Sequence, residues 1–318
     1  MQAEAEVVSG VVRRSGTGPG FQRWLRKLWQ FRASYIMLSP FLVGFFLFTI
    51  LPVLAALAIS LTYYDILQPP TWIGLTNFRT LFLYDNVFII AVRNTLIYGL
   101  ATGPVGLILA FFFAWVINRV RLTWRVPLTL ALYAPSLQSS ITVGLISGYF
   151  FSTDQYGLIN YTLYKMGFIH APIAWLSNPK LIMPVLIGIT LWMSMGTGFL
   201  IFIAGLQTVK PDLYEAARID GTSNAWQELW YITMPQMKPF LLINSIFAVV
   251  NSFGGSGLLG LAGGINSPDY AALSINDYAN DYATTRFMMG YAAAIALLMF
   301  AWSYGMGMTV YKWLASSD

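Results

Sequence analysis

The most prominent pattern in the sequence is a series of long apolar stretches that contain no charged residue. About 20 apolar residues are enough for an α-helix to cross the roughly 30 Å hydrocarbon core of a bilayer. Six stretches exceed that length, and each predicts one membrane-spanning helix. They cover residues 33–64, 94–118, 126–153, 181–209, 239–268 and 287–311.

The composition agrees with this pattern. Hydrophobic residues make up 57% of the 318 residues and charged residues only 10%, whereas about a quarter of the positions in a soluble domain are charged. We therefore predict an all-α membrane protein of six transmembrane helices. Residues 33–314 form the membrane domain, and residues 1–32 form a cytoplasmic tail.

The basic residues predict the orientation of the six helices. With both termini in the cytoplasm, thirteen of the eighteen Lys and Arg residues fall on the inner side, while the acidic residues divide almost evenly, seven to six. This is the asymmetry of the positive-inside rule. The thirteen are Arg13, Arg14, Arg23, Arg26, Lys27, Arg32, Arg119, Arg121, Arg125, Lys210, Arg218, Lys238 and Lys312, and the outer five are Arg79, Arg93, Lys165, Lys180 and Arg286.

A helical pattern of a different kind occurs within the tail. Apolar residues recur at the spacing of one helix face, and basic residues occupy the other, which favours a helix lying on the inner membrane surface. A helix that binds a partner protein is the alternative. The apolar face consists of Phe21, Trp24, Leu25, Leu28 and Trp29, and the basic face of Arg23, Arg26 and Lys27. We expect no cleavable leader, because more than thirty mostly polar residues precede the first apolar stretch.

The polar loop of residues 210–235 separates the fourth and fifth stretches, and its pattern predicts two short helices. Asp212 can cap the first helix with Glu215 as its third residue, and Gly221 suits the left-handed residue that ends it. Asn224 with Gln227 can cap the second. The loop therefore predicts a helix-turn-helix outside the bilayer.

This loop resembles the cytoplasmic loop of the inner-membrane permeases of binding-protein-dependent ABC importers. That family's loop reads Glu-Ala-Ala, three residues, Gly, then a hydrophobic-x-Leu-Pro ending. Met234 stands in place of the usual leucine, and ten residues instead of nine separate Gly221 from Ile232. The matching residues are Glu215, Ala216, Ala217, Gly221, Ile232, Met234 and Pro235.

Further segments resemble the carbohydrate-uptake (maltose-type) branch of that family, so the resemblance covers residues 31–314. They are Lys210-Pro-Asp-Leu-Tyr214, the Asp220-Gly221 pair, Trp72-Ile-Gly-Leu-Thr-Asn-Phe78, Tyr156-Gly-Leu-Ile-Asn160 and Gly290-Tyr-Ala-Ala-Ala294. The resemblance implies the fold of a type I importer permease in the bacterial inner membrane. It also implies four classes of partner: a second homologous permease, two ATP-binding subunits, an external solute-binding protein and a sugar or related polyol as substrate.

The resemblance assigns the first helix of the loop to coupling. In the family this helix docks in a cleft of the ATP-binding subunit, so Glu215, Ala216, Ala217, Asp220 and Gly221 are the expected coupling residues. The sequence has no Gly-x-x-x-x-Gly-Lys-Ser/Thr phosphate loop. ATP and Mg²⁺ are therefore expected on the partner subunits, and this chain is expected to have no cofactor and no enzymatic activity of its own.

Polar residues within the apolar stretches are the candidates for the substrate path, because such residues usually face a bundle interior. Amides and an aromatic face suit a neutral sugar, although hydrogen bonds between or within helices explain any single residue equally well. The candidates are Trp192, Ser194, Thr197, Asn244, Asn251 and Ser252. By the resemblance, Asn251 falls on a substrate-binding asparagine and Gln155 on a polar contact position.

Other functions fit the sequence less well. Without cysteine and with a single histidine, His170, the chain offers no thiolate site and no multi-histidine metal site. Gly255-x-Gly257-x-x-Gly260 matches a dinucleotide fingerprint by letter, but no strand precedes it. Basic residues beside apolar stretches indicate topology, not nucleic-acid binding. A secondary transporter remains the alternative function, although no acidic residue lies within the six stretches; a membrane enzyme would rely on Asp269, Asp277 and Asp281.

Overall fold

A computed structural model describes residues 31–254 and 264–315 of the chain. The amphipathic pattern of residues 21–29 and the glycine motif of residues 255–260 lie outside the described residues. The chain divides into two compact units, Met1–Ala55 and Ala56–Asp318, which are described separately.

The described part of the first unit is helical and apolar. Helix α1 spans Arg32–Phe45, continues through a π-helical turn at Phe46–Ile50, and runs on as Leu51–Ser60, of which residues 56–60 belong to the second unit. Its large side chains are exposed: Met37 is 86% exposed and Phe48 is 83% exposed. An apolar helix surface of this extent requires lipid or another protein against it.

The second unit is a bundle of helices with one short hairpin. Strands β1 and β2 pair in antiparallel fashion, with Thr62 opposite Trp72. Two short 3₁₀ turns, Gly264–Asn266 and Pro268–Tyr270, precede α12. The elements are β1 Thr62–Tyr63, β2 Thr71–Trp72, α2 Thr76–Leu83, α3 Asn86–Arg119, α4 Leu122–Tyr133, α5 Ser140–Phe150, α6 Leu158–Lys165, α7 Ile182–Trp192, α8 Thr197–Thr208, α9 Pro211–Ile219, α10 Ala225–Glu228, α11 Met234–Gly254, α12 Ile275–Thr284 and α13 Met289–Ala315.

The 34-residue helix α3 is the centre of this bundle, and α8, α7 and α11 pack along it. Glycines in α3 permit the neighbouring segments to approach its backbone closely. A Cβ atom at Gly103 would lie 2.8 Å from Ser252 Oγ, and one at Gly106 would lie 3.2 Å from Ser194 Cβ. Small residues at such contacts are typical of helix packing in membranes, where close van der Waals contact replaces the hydrophobic effect.

Two clusters of buried side chains flank α3. Near its Arg119 end, Phe111 and Trp115 pack with Phe199 and Phe202 of α8 and with Met237 of α11. Near its Asn86 end, a second cluster joins α3 to α2, α12 and α13. It contains Leu81, Phe88, Ala91, Leu273, Ile275, Tyr278, Tyr291, Ala294 and Ile295.

Four of the six predicted spans correspond to helices that are long and apolar enough to cross a membrane. Within the described residues these are Arg32–Ser60, Asn86–Arg119, Ile182–Thr208 and Met289–Trp313. The third stretch forms two helices, α4 and α5, and the fifth forms α11, which begins with a polar turn at Met234. The count of six membrane-spanning helices stays a prediction.

Local chemistry explains why the third stretch is interrupted. A 3₁₀ turn at Ala134–Leu137 follows α4, and Pro135 within it has no N–H to continue an α-helix. The next helix starts with its own cap, since Ser139 Oγ accepts a hydrogen bond from Thr142 N at 3.2 Å. Within the fourth stretch, α7 ends at Trp192 and α8 starts after Gly196, whose backbone angles (φ −91°, ψ −145°) are not helical.

The first loop helix, α9, begins differently from the expectation. Lys210 is the N-cap residue and Pro211 the first helical residue, so Asp212 does not cap the helix and Glu215 is not part of a capping box. Proline is favoured at the first helical position, because an N–H group at that position would have no partner within the helix and proline has none. Asp212 instead lies in the first turn, where a negative charge suits the helix dipole.

The end of α9 is as expected. Gly221 has a φ of +97°, and two hydrogen bonds close the turn: Gly221 N to Arg218 O at 3.2 Å and Thr222 N to Ala217 O at 2.9 Å. This is a Schellman motif, which pairs the last helical carbonyls and favours glycine at the left-handed position.

The predicted second cap is also present. Asn224 Oδ1 accepts from Gln227 N at 2.9 Å, and Gln227 Oε1 accepts from Ser223 N at 2.8 Å. Helix α10 then passes through a π-helical turn at Leu229–Thr233 into α11. A π-helical turn holds one more residue than an α-helical one, and this segment has one residue more than the family's usual spacing.

Candidate functional sites

A polar-lined cavity of about 380 Å³ lies between α3, the junction of α7 and α8, and α11. Five of the seven predicted substrate-path residues line it, namely Ser194, Thr197, Asn244, Asn251 and Ser252. The break between α7 and α8 contributes Ser194 and Gly196 to the wall. Irregular backbone within a membrane segment is tolerated where it lines such a cavity.

Asn244 has the least satisfied polar group in this wall. The residue is 2% exposed, and its Nδ2 donates to Gly198 O at 3.2 Å. Its buried Oδ1 has no hydrogen-bond partner among the described residues. An unpaired buried acceptor is costly, so a hydroxyl donor that reached this oxygen would be favoured.

Two serine hydroxyl groups of the cavity are already engaged as donors. Ser252 Oγ donates to Ala248 O at 2.6 Å, and Ser194 Oγ donates to Leu191 O at 2.7 Å. Such bonds from a hydroxyl to a nearby backbone carbonyl are the alternative explanation that the sequence left open. Each oxygen retains acceptor capacity, so the two roles are compatible.

Two predicted path residues are not brought to this cavity. Trp192 is 59% exposed and is not among the lining residues, and Gln155 is exposed in the loop between α5 and α6. The aromatic face that the sequence assigned to Trp192 is provided by Phe247, which is 54% exposed and lines the cavity with Asn251.

The sequence reasoning missed the contribution of α3. Tyr98 and Thr102 line the cavity, and Tyr98 OH lies 2.7 Å from Thr190 Oγ1 of α7. Their spacing of four residues, next to Gly99 and Gly103, places polar and small residues on one helix face. That signal was available in the second apolar stretch.

The predicted coupling residues are at the surface. Glu215, Ala216, Asp220 and Gly221 are exposed and Ala217 is partly buried, while Ile219 at the end of α9 is 86% exposed. The two alanines have small side chains, so at these two positions the surface of α9 lies close to its backbone.

Glu228 joins α9 to the end of α3, and the sequence reasoning did not identify it. Its side chain is 9% exposed, and it binds Arg119, the last residue of α3, through Oε2 and Arg218 of α9 through Oε1 at 3.0 Å. The Arg119 guanidinium also lies 4.8 Å from the centroid of the Trp115 ring. Trp115 in turn packs against Trp226 with ring centroids 5.5 Å apart.

The two arginines determine the charge state of Glu228. Burial disfavours its ionised form, but the hydrogen bonds and charges of Arg218 and Arg119 outweigh burial and lower the pKa of Glu228 below its ordinary value. Glu228 is therefore ionised at neutral pH. Its contribution to stability is present above the ordinary pKa of glutamate and is lost as the pH falls through the lowered value.

At the opposite end of α3, Asp85 holds a cluster of tyrosines. Its carboxylate accepts from Tyr278 OH at 2.8 and 2.9 Å, from Tyr291 OH at 2.6 Å and, as the N-cap, from Phe88 N at 3.0 Å. Burial and these hydrogen bonds raise the pKa of Tyr278, so it acts as a neutral donor. Both ends of α3 are thus fixed by carboxylate interactions, from the partly buried Asp85 and the buried Glu228.

Comparison with protein families gives a match over most of the chain. Residues 102–314 match the family described as "Binding-protein-dependent transport system inner membrane component". This range includes α9, the Glu228 site and most of the residues that line the cavity.

Curated relatives agree with the family match. The chain is 34% identical over 269 residues to the "Probable ABC transporter permease protein YesP" of Bacillus subtilis, covering 84% of this chain and 85% of that protein. It is 32% identical over 275 residues to the "Arabinooligosaccharides transport system permease protein AraP" of the same organism, covering 84% and 83%. It is 26% identical over 269 residues to the "Lactose transport system permease protein LacF" of Rhizobium radiobacter, covering 84% and 88%.

A solved structure shares the fold. A chain of a bacterial ABC transporter involved in the import of the acidic polysaccharide alginate superposes with a TM-score of 0.79 at 22% identity, covering 92% of this chain and 99% of that chain. Given the family match and these relatives, the chain belongs to the inner-membrane permease components of binding-protein-dependent ABC transport systems.

Proposed function

We propose that this permease carries a sugar, as an oligosaccharide or a related polyol, into the bacterial cytoplasm through the cavity between α3, α7–α8 and α11. The observation that carries the proposal is the cavity wall itself. It combines the amides of Asn244 and Asn251 with the aromatic face of Phe247, and none of the lining side chains that the structure describes is charged. Such a wall suits a neutral solute rich in hydroxyl groups.

The relatives support the substrate class. The names of two of them specify arabinooligosaccharides and lactose, and the alginate transporter of the same fold takes up a polysaccharide. A further structure of that transporter contains a periplasmic protein bound to an alginate pentasaccharide. By analogy, an external binding protein delivers the sugar to this chain.

The proposed mechanism assigns α9 to coupling. Two ATP-binding subunits and a second permease complete the assembly, and the exposed Glu215, Ala216 and Gly221 turn of α9 docks on one of the ATP-binding subunits. Closure of those subunits around ATP moves α9 and opens the cavity outward, and hydrolysis resets it. In this proposal the two permease subunits contribute six membrane-spanning helices each, and both termini of this chain lie in the cytoplasm.

Transport by the intact complex tests the proposal. The complex is isolated through a tag on this chain, reconstituted in vesicles with its binding protein, and supplied with ATP on the cytoplasmic side. We expect saturable uptake of a saccharide or polyol that requires ATP. Uptake driven by an ion gradient without ATP would favour a secondary transporter, and uptake restricted to amino acids or peptides would overturn the sugar assignment.

Asn251 provides the sharpest test of the cavity. Because its amide lines the wall and is exposed there, Asn251→Ala should reduce sugar uptake about tenfold, by removing one or two hydrogen bonds. Stimulation of ATP hydrolysis by the empty binding protein should persist. The control is Val250→Ala, since Val250 lines a separate groove between α11 and α13. Equal uptake by both variants would remove Asn251 from the path.

A further inference from the structure

The contacts of Glu228 connect three elements that the chain places far apart in sequence. Glu228 ends α10, Arg218 belongs to α9 ten residues earlier, and Arg119 ends α3, 109 residues earlier. The Glu228 side chain is 9% exposed, whereas those of Arg119 and Arg218 are 38% and 65% exposed. One buried carboxylate therefore bridges two partly exposed guanidinium groups.

Aromatic contacts reinforce the same junction. Trp226, two residues before Glu228, packs on Trp115, and Arg119 lies over the Trp115 ring. Tyr214 of α9 adds a second link, because its hydroxyl lies 3.0 Å from Thr233 Oγ1 in the π-helical turn. The end of α3, α9 and α10 are thus joined by both ionic and ring contacts.

Helix α3 leads from this junction to the cavity without interruption. Its 34 residues form one continuous helix, and Ala110 in the cavity wall lies nine residues, or roughly 14 Å, from Arg119 at the ordinary helical rise. Tyr98, also in the wall, lies farther along the same helix. Displacement of the Arg119 end must therefore shift the wall at Ala110, since a packed helical segment without proline moves as a rigid element, whereas Pro104 lies between this segment and Tyr98.

We propose that Glu228 is a positioning residue that transmits the movement of α9 to α3, so that docking of the ATP-binding subunit reshapes the cavity through the Arg218–Glu228–Arg119 bridge. This inference rests on the proposed function, because it requires α9 to be the docking helix. Glu228 itself touches neither substrate nor nucleotide in this mechanism. Its role is to hold α9 and α3 as one body.

The first test separates ATP hydrolysis from uptake in the reconstituted complex. Glu228→Gln retains the volume of the side chain but removes its charge, and Arg218→Gln removes the more exposed partner. We expect both variants to assemble with the ATP-binding subunits and hydrolyse ATP, while the sugar taken up per ATP falls about fivefold or more, the lower end of ordinary coupling between sites. Arg218→Lys retains the charge and should recover part of the loss.

Arg121→Gln is the matched control. Arg121 is an exposed arginine two residues beyond Arg119, and its variant should retain the wild-type ratio of uptake to hydrolysis. If Glu228→Gln does not accumulate, Arg218→Gln decides the question. A wild-type ratio in Arg218→Gln, or the same loss in Arg121→Gln, would overturn the proposal.

The second test measures the movement directly and does not depend on which solute is transported. The chain has no cysteine, so spin labels can be attached at Asp212→Cys on α9 and Phe112→Cys on α3, both exposed. We expect the distance between the labels to stay narrow and unchanged when ATP is added to the wild-type complex. In Glu228→Gln the distribution should broaden and shift with ATP.

The two measurements distinguish failure of this inference from failure of the proposed function. A complex that imports no sugar but shows the expected label distances would contradict the substrate and leave the bridge intact. A sugar importer whose label distances are the same with and without the Glu228 charge would contradict the bridge alone.

Discussion

Three of the segments that resemble sugar permeases contain a residue that fixes the backbone of a neighbouring segment. Asn77 Nδ2 donates to Ser60 O at 2.8 Å and Thr62 O at 3.0 Å. Asn160 is 1% exposed, and its Oδ1 accepts from Ile173 N at 3.2 Å. Gly290 N donates to Tyr64 O at 3.2 Å. The sequence identified these segments by resemblance, but their structural role depends on contacts distant in sequence and was not predictable from it.

Gly290 is the most constrained of these positions. A Cβ atom there would overlap Thr62 O, which belongs to the backbone and cannot rotate away. We predict that Gly290→Ala destabilises the purified protein by about 1–3 kcal/mol, the ordinary cost of overpacking, and lowers its melting temperature in detergent. The control is Gly305→Ala in the same helix, where a Cβ would meet nothing within 4 Å. Equal melting temperatures for the two variants would contradict the close approach.

At the scale of single elements, the sequence predicted where helices occur better than it predicted the residues at which they begin and end. The apolar stretches and the turn chemistry of Gly221 and Asn224 were sufficient to predict the elements around them. The start of α9 was predicted wrongly, because Asp212 was taken as the cap although Pro211 competes for the first helical position. The interruption near Pro135 was missed, because apolar composition alone does not distinguish one long helix from two short ones.

Helix α9 gives the prediction at this scale. Gly221 has a φ of +97°, and a Cβ atom there would meet nothing within 4 Å, so within this chain a substitution acts through the backbone. A β-branched residue should cost about 1 kcal/mol or more locally. We predict that Gly221→Val and Glu215→Lys remain in the membrane but bind the ATP-binding subunits less tightly, or hydrolyse ATP without uptake.

Subunit stoichiometry, ATP hydrolysis and uptake of the purified complex measure this effect. Gly221→Asn is the control, because asparagine tolerates the left-handed conformation, and it should retain more coupling than Gly221→Val. Wild-type values for all three measurements in Gly221→Val and Glu215→Lys would show that α9 is not the coupling element.

At the scale of the whole molecule, the second unit is organised around α3. Asp85 joins its first turn to Tyr278 and Tyr291, Asn94 donates to Tyr270 O at 2.8 Å and Leu273 O at 3.1 Å, and Arg119 joins its last turn to Glu228. Composition predicted a helical membrane domain. It could not predict which helix is central, because that depends on polar contacts between residues 109 to 206 positions apart.

The orientation of the molecule provides the last prediction. Arg121 lies in the turn between α3 and α4, and Gly221 lies at the end of α9. The positive-inside rule assigns both of these segments to the cytoplasm. Lys165 ends α6, which follows the α4–α5 segment along the chain. We predict that reporter domains fused after Arg121 and Gly221 are active only in the cytoplasm, and that one fused after Lys165 is active only outside. Paired reporters, one active on each side of the membrane, measure this at each site. An external signal at Gly221 would place α9 away from ATP and would contradict the coupling role, whatever the substrate.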